Sequence, residues 1–273
     1  AMNLSAQKDT GGPKSQAELL YQAQLRKQRH FRANVAFTWL LLLLFLVFLF
    51  SGPIKIDSQF IADNMLFIAG GLGETLKISL LSITLAMILA LLVALGRLST
   101  IPPIYAVSTF YVSLIRGTPL ILQIYFFFLA LPQLGINMPG LWAGVLALGL
   151  NYGAYMSETF RAGLGSVGKG QREAAIALGM TTGQTMRRVI LPQALRFAIP
   201  PMGNDFISMT KDSALVAVTG FVHELMWRAV KVGRAQFHNL EALIMAAIFY
   251  WVMTLLLTAI QSRLESYLSK GDR

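Results

Sequence analysis

The chain has 273 residues, of which 55% are hydrophobic and only 13% are charged, whereas soluble domains carry about 25% charged residues. This composition excludes an ordinary soluble domain, and the absence of cysteine excludes disulfides and thiolate metal sites. The net charge of +10 fits either nucleic-acid binding or membrane orientation, so the positions of the basic residues have to decide between them.

The first predicted elements lie near the N-terminus. Residues 1–34 form a basic segment that predicts a cytoplasmic tail, with disorder over 1–15 and a helix on the inner leaflet over 16–33. Residues 35–50 carry no charge and predict an extra N-terminal transmembrane span that ends at Ser51, Gly52 and Pro53. Because a span needs about 20 residues, a buried helix remains the alternative for this shorter segment.

Five further apolar segments are long enough to cross a bilayer core. They cover roughly residues 72–95, 104–130, 140–160, 195–219 and 240–262. Together with the N-terminal segment they predict an all-α integral membrane bundle of about six transmembrane helices.

The basic residues give this bundle a direction, because lysine and arginine favour cytoplasmic loops. Six spans would place the two tails and every second loop on one side of the membrane. Sixteen basic residues fall on that side, and four fall in the loops on the other side. This distribution predicts that both termini are cytoplasmic. It also accounts for the basic excess without nucleic acid as a partner.

The one long internal loop, residues 163–196, joins the span predicted over 140–160 to the span predicted over 195–219. Residues 171–178 predict a first short helix, and Gly179 suits the left-handed residue that closes a helix. Thr181 and Gln184 have the spacing of a capping box, which predicts the start of a second helix.

The second loop helix has an apolar face made by Met186, Val189 and Ile190, and Pro192 is expected to end it. A preformed helix with an apolar edge in a water-exposed loop is suited to docking into a groove on a partner. Periodicity alone would also allow a loop that only connects two spans.

Six residues of this loop resemble the EAA loop of ABC importer permeases in type and spacing. They are Glu173, Ala174, Ala175, Gly179, Leu191 and Pro192. Residues 73–79, 111–120 and 191–220 look like the permeases of the polar amino acid uptake family, and the resemblance covers about residues 66–265.

This resemblance implies a five-helix type I importer core over residues 66–265, with 163–196 as the cytoplasmic loop that couples to the ATPase. It implies a bacterial inner membrane location, two ATPase subunits that carry ATP and magnesium, an external solute-binding protein, and a second permease copy or paralogue. No cofactor and no catalytic residue are expected in this chain. An amino acid is the expected solute, with an opine or a sulfur compound as the alternative; which amino acid, and whether the pair is a homodimer or a heterodimer, stay open.

Three partial motifs suggest other chemistry. Residues 163–170 approach a phosphate-binding loop but end in glycine, which has no hydroxyl for magnesium. His223 and Glu224 begin like a zinc motif, but Trp227 replaces the second histidine, so no metal site is expected. The spacing of Ser208 and Lys211 leaves a membrane-embedded hydrolase as the competing class.

Span five carries a polar stripe of Asn204, Asp205, Lys211 and Asp212. Charges in hydrocarbon cost several kcal/mol, so these residues are not expected to face lipid. Residues seven apart differ by only about 20° around a helix, which predicts two adjacent polar rows. The rows are expected to face the substrate pathway, with a lock at the subunit interface as the alternative.

Arg116 lies inside span three, next to Gly117 and Pro119. A helix break there would let its guanidinium face the cytoplasmic mouth of the pathway. A structural role is the alternative for this arginine.

Overall fold

The computed structural model describes residues 16–51 and 56–268, which are helical and contain no β-strand. The predicted all-α class is confirmed. The predicted disorder of residues 1–15, and Gly52 and Pro53 at the expected end of the first span, lie outside the described residues. The α-helices are α1 Gln16–Ser51, α2 Ser58–Ala69, α3 Leu72–Gly96, α4 Pro102–Arg116, α5 Leu120–Tyr125, α6 Gly140–Ser166, α7 Lys169–Ala177, α8 Thr182–Thr185, α9 Leu191–Asp212, α10 Leu225–Gln236 and α11 Asn239–Leu268.

Four short segments of other helical type continue three of these helices. Phe126–Ala130 is a π-helix and Leu131–Leu134 a 3₁₀-helix after α5, Met186–Ile190 is a π-helix after α8, and Ser213–Thr219 is a 3₁₀-helix after α9. The chain divides into two compact units, residues 1–56 and 57–273.

In the first unit, α1 runs without interruption from Gln16 to Ser51. The segment contains neither glycine nor proline, so nothing in it breaks the helix. The surface helix expected over 16–33 is therefore not separate from the span expected over 35–50.

The core of the second unit is formed by α3, α6 and α9. Small residues line the contact between these helices, including the fully buried Ala86, Ala90 and Ala94 of α3. A Cβ on Gly163 would lie 2.8 Å from the carbonyl oxygen of Ala194, so α6 and α9 approach closely there. Small residues allow this close approach between membrane helices.

A second hydrophobic cluster joins α2, α10 and α11, with Phe60, Leu225 and Ala242 among its buried residues. The turn between α2 and α3 packs directly on the start of α10. A Cβ on Gly71 would lie 2.6 Å from the backbone nitrogen of Leu225. This turn therefore requires glycine.

The segment predicted as one span over 104–130 is broken, because α4 and the helical segment that begins with α5 meet at an angle of 104°. The Gln123 amide donates to the Ile115 carbonyl at 2.9 Å and to the Thr118 carbonyl at 3.2 Å. These bonds add a close donor to two carbonyls beside the break at Gly117, where regular helical pairing ends, as a membrane interior requires.

The predicted number of six spans is not confirmed. Within residues 16–51 and 56–268, three helical stretches are long and apolar enough to cross a membrane, or up to four if the bent pair is one span. They are Gln24–Phe48, Ser58–Gly96 and Asn239–Ser266. Helices α6 and α9 fall short because α6 is rich in small and polar residues and α9 carries charges.

Helix α9 begins at Leu191, one residue before the proline that was expected to end the second loop helix. Pro192 lies in its first turn, a position that tolerates proline because the N–H there has no helical partner. The expectation that Pro192 ends the second loop helix is therefore wrong. Pro200 and Pro201 lie inside α9, and the side-chain amide of Gln261 donates to the Pro200 carbonyl at 3.0 Å.

Candidate functional site

A cavity of about 540 Å³ lies where the break between α4 and α5 faces α6 and α9. Residues 116–120 form one wall. Helix α6 contributes Asn151, Tyr152 and Tyr155, and α9 contributes Asp205, Ser208 and Asp212. We call this space the α6–α9 cavity.

Its acidic side is formed by α9. The hydroxyl of Tyr152 donates to Oδ2 of Asp212 at 2.7 Å, which holds one carboxylate oxygen and leaves the other for a ligand. Asp205 lies two turns earlier on the same helix and accepts no hydrogen bond from the described residues. Two carboxylates therefore face one space with a single protein donor between them.

Its basic side is formed by Arg116. The guanidinium lies over the ring of Tyr155, 4.9 Å from the ring centroid, and Nη1 is 3.4 Å from Oε1 of Glu158. Glu158 also pairs with Arg97 at 2.5 Å and with Arg161 at 2.8 Å. One carboxylate shared among three arginines leaves Arg116 only a long ion pair, so its charge remains able to bind an anionic group.

Only one of the two polar rows predicted for span five lines this cavity. Asp205 and Asp212 line it together with Arg116, and the substrate pathway that the sequence indicates for these three residues stays a prediction. Asn204 instead accepts a hydrogen bond from Nε2 of Gln261 on α11 at 3.2 Å, and Lys211 is exposed outside the cavity lining. Neighbouring positions on a helix point about 100° apart, which separates the rows.

Sequence reasoning missed Asn151, Tyr152 and Glu158, all on α6. Glu158 and Asn151 carried a usable signal, because a charge or an amide in an apolar segment needs a partner. Tyr152 carried none, since tyrosine is ordinary in a membrane helix and its role depends on Asp212.

The carboxylate of Glu224 is fully buried near the start of α10 and is satisfied by the chain itself. It accepts from the backbone N–H groups of Met226 at 2.8 Å and Trp227 at 2.6 Å, and from the hydroxyl of Tyr250 at 2.6 Å. Burial raises the pKa of Glu224, and these hydrogen bonds oppose the shift.

The three partial motifs form no alternative site. Residues 163–166 continue α6, His223 stacks on Trp227 at 3.9 Å, and Glu224 caps α10. Among the described residues, no group of three or more histidine, aspartate or glutamate side chains could hold a metal ion. Ser208 lines the α6–α9 cavity and Lys211 does not. The serine and lysine that the hydrolase hypothesis requires are therefore not brought together in this cavity.

The long loop has the local structure that its sequence predicts. Helix α7 is followed by Gly179 with φ of +74°, in the left-handed region. Thr181 accepts from the backbone N–H of Gln184 at 3.3 Å, and the Gln184 side chain accepts from the Thr181 N–H at 2.9 Å. The predicted closing glycine and capping box are confirmed.

The apolar face of the loop points differently from the prediction. Ile190 is buried against Leu164 and Ala194, and Met186 packs on the same cluster, so this face anchors the loop to the bundle. The exposed apolar side chains lie instead on or next to α7, where Ile176 is 61% exposed and Leu178 is 81% exposed.

Of the matched loop residues, Glu173, Ala174 and Gly179 are exposed, while Ala175 is buried. Leu191 is half-buried and Pro192 is exposed at the start of α9. The first turns of α7 therefore present a carboxylate and small side chains at the surface, beside the apolar edge of Ile176 and Leu178.

An all-helical membrane bundle with a polar cavity at a helix break and a structured loop at one end has the architecture of a transport permease. The family described as the inner membrane component of binding-protein-dependent transport systems matches residues 82–270. The chain belongs to this family of ABC transporter permeases.

Relatives of known assignment extend this result. The chain is 42% identical to the arginine transport system permease protein ArtQ of Bacillus subtilis, over 80% of this chain and 100% of that protein. It is 41% identical to the L-cystine transport system permease protein TcyB of the same organism, over 74% of this chain and 88% of the relative.

A solved structure shows the same architecture. The chain matches a crystal structure of an amino acid ABC transporter with histidines, at a TM-score of 0.74 and 39% sequence identity. The match covers 78% of this chain and 99% of the other.

Proposed function

We propose that the chain is the permease subunit of an ATP-driven importer, in which it carries a polar amino acid across the bacterial inner membrane into the cytoplasm. The observation that carries this proposal is the α6–α9 cavity, which Arg116 lines together with Asp205 and Asp212. A solute with an amino and a carboxyl group would find both opposite charges there. The relatives named for arginine and L-cystine transport support an amino acid over an opine.

Charge balance narrows the solute. The cavity offers two carboxylates and one guanidinium that is already shared with Glu158. A cationic amino acid would place its carboxylate near Arg116 and its two positive groups near Asp205 and Asp212. An acidic amino acid would bring a second carboxylate toward them, and like charges placed together disfavour binding.

The loop and the family support a proposal for the coupling partners. We assign ATP hydrolysis, with its magnesium, to two separate ATPase subunits that bind the loop around Glu173, Ala174, Ala175 and Gly179. Leu191 and Pro192 then join the loop to α9, whose other end carries Asp212, so movement of the loop would reach the cavity along one helix. An external binding protein would deliver the solute, and a second permease copy or paralogue would complete the pathway.

We further propose that both termini are cytoplasmic, because the basic residues favour that side of the membrane. The loop 163–196 then faces the ATPase subunits from the same side. In an importer of this orientation, the solute would reach the α6–α9 cavity from outside the cell.

Uptake by the complete transporter, reconstituted with its ATPase subunits and binding protein in lipid vesicles, tests the proposal. Asp212→Asn keeps the size of the side chain and removes its charge. We expect uptake of the solute to fall at least tenfold, because hydrogen bonds to charged groups contribute about 1.5–3 kcal/mol. Assembly and basal ATP hydrolysis should be unchanged.

Lys211→Gln is the matched control, since it removes a charge from the neighbouring residue outside the cavity. Equal loss of uptake in both variants, or normal uptake in Asp212→Asn, would contradict the assignment of the cavity. Failure of Asp212→Asn to assemble would make Asp212 an interface residue. Turnover of a substrate by this chain without ATPase subunits would favour the hydrolase instead.

A further inference from the structure

A second cavity, of about 360 Å³, lies where the long loop leaves the helix bundle. We call it the loop-end cavity. Its polar wall is formed by Arg97 at the end of α3, Arg161 on α6 and Arg172 on α7, with Tyr105 of α4 beside them. Leu98, Leu164, Gly165 and Met186 complete the lining.

The charge at this cavity is not balanced by the chain. Glu158 pairs with Arg97 and Arg161, and it is also shared with Arg116. Arg172 is exposed and has no ion pair or hydrogen bond among the described residues. No carboxylate lines the cavity. Gathering cationic groups around one carboxylate leaves a positive potential that an anion would relieve.

The kind of donor indicates the kind of anion. A guanidinium presents its N–H groups in a flat fork that matches two oxygens of a phosphate. Three arginines arrive from three different helices, so one phosphate could be contacted from several directions. Basic pockets between membrane helices bind anionic lipid headgroups in this way.

The surroundings of the cavity indicate where the phosphate comes from. Leu98 lies on its rim and is 48% exposed, and the turn into α4 continues with the exposed Ile101 and Ile104. A free phosphate has no use for this apolar surface, whereas an acyl chain would cover it. The ligand chemistry is therefore a phosphate attached to an apolar body.

We propose that the loop-end cavity binds the phosphate of an anionic phospholipid, whose acyl chains lie along Leu98, Ile101 and Ile104. The site contacts both α6 and α7 through Arg161 and Arg172. The lipid would therefore hold the first part of the long loop against the helix bundle. Under the orientation proposed above, this lipid belongs to the cytoplasmic leaflet. Its binding does not depend on which solute is transported.

Native mass spectrometry of the delipidated complex with its ATPase subunits tests this site, using dioleoyl phosphatidylglycerol and dioleoyl phosphatidylcholine as probes. We expect wild type to bind phosphatidylglycerol more tightly. Arg172→Gln should weaken that binding about fivefold and the double variant Arg161→Gln, Arg172→Gln about 25-fold, since each basic residue near an anionic lipid contributes about one fivefold factor. Arg172→Lys keeps the charge but loses the flat fork of donors, so its affinity should lie between wild type and Arg172→Gln.

Arg263→Gln is the control, because Arg263 is an exposed arginine of α11 that does not line the cavity. Equal loss in this control, or phosphatidylglycerol binding by Arg172→Gln that equals wild type, would overturn the site. In a separate arm, inorganic phosphate at millimolar concentration is added to the phosphatidylglycerol complex. Displacement of the lipid by inorganic phosphate would overturn the lipid as the source, while persistence of the lipid supports it.

Discussion

Glu224 and Asp212 are both carboxylates of the second compact unit, but their surroundings differ. Glu224, in the cluster of α2, α10 and α11, is fully buried and receives three hydrogen bonds from the chain. Asp212, in the α6–α9 cavity, receives one from Tyr152, and Asp205 near it receives none among the described residues. An acid that the protein satisfies stabilises the fold, whereas an acid left partly unsatisfied beside a cavity is available to a ligand.

The strongest way to break this comparison is to remove Glu224. Glu224→Ala should lower stability by about 3 kcal/mol, because it removes a helix cap and leaves the buried Tyr250 hydroxyl without its acceptor. The thermal unfolding midpoint of the detergent-purified chain and its yield after size exclusion would both fall. Glu74→Ala, which removes only the exposed ion pair with Lys77, should change neither. A stable Glu224→Ala variant that had lost only uptake would reverse the roles given to the two acids.

The second prediction extends the comparison to the long loop, where Glu173 is exposed and has no ion pair or hydrogen bond among the described residues. Glu173→Gln should weaken retention of the ATPase subunits and lower uptake. Gly179→Ala should do the same, since a left-handed alanine costs about 1 kcal/mol and would reorient α7. Co-purification and uptake per ATP hydrolysed measure the effect.

Gly183→Ala is the control for the loop, because a Cβ there meets open space and the backbone has no positive φ. If both Glu173→Gln and Gly179→Ala retained ATPase subunits and transport at wild-type level, the loop would have no part in coupling.

A third prediction concerns the solute preference that Asp205 and Asp212 would give the cavity. We expect the rate of uptake of lysine or arginine to be about tenfold higher than that of glutamate, because Asp205 and Asp212 repel a second carboxylate. Asp205→Asn should narrow this ratio. The ratio is measured as uptake by the complete transporter and compared with the preference of the isolated binding protein, since that protein adds its own selectivity. A preference for glutamate would show that the cavity charges do not select the solute.

The smallest effect is expected at the N-terminus. Deleting residues 1–50 should leave uptake per inserted molecule nearly unchanged, because every residue that lines the α6–α9 cavity lies between 116 and 212. The amount of inserted protein is expected to fall instead. Quantitative membrane fractionation together with solute-stimulated ATP hydrolysis separates the two. A truncated chain that inserts and assembles but has lost that stimulation would give the N-terminal segment a part in transport.

The sequence predicted well where structure depends on near neighbours. Gly179 and the capping box of Thr181 and Gln184 were predictable because both are satisfied within a few residues of the chain. The charges of α9 were predictable as a group from their cost in a membrane. Which of these polar residues would line the cavity and which would contact α11 was not predictable, because Asn204 bonds to Gln261, about 57 residues away.

Long-range packing also explains the errors. Met186 and Ile190 look like a docking face in the sequence, but Leu164 and Ala194 cover them in the fold. The segment 104–130 looks like one span, because hydrophobicity does not record a bend. Gly117 and Pro119 were the local signs of the break, and the amide of Gln123 that satisfies it could be assigned only from the structure.

The single carboxylate of Glu158 connects the two cavities, because it contacts Arg116 on one side and Arg97 and Arg161 on the other. The effect of a substitution in one cavity should therefore depend on whether a residue of the other cavity has also been replaced. Residues that share a partner show non-additive effects when they are changed together. In a scan of double mutants, epistasis between Arg116 and Arg161 should thus disappear once Glu158 has been replaced by glutamine.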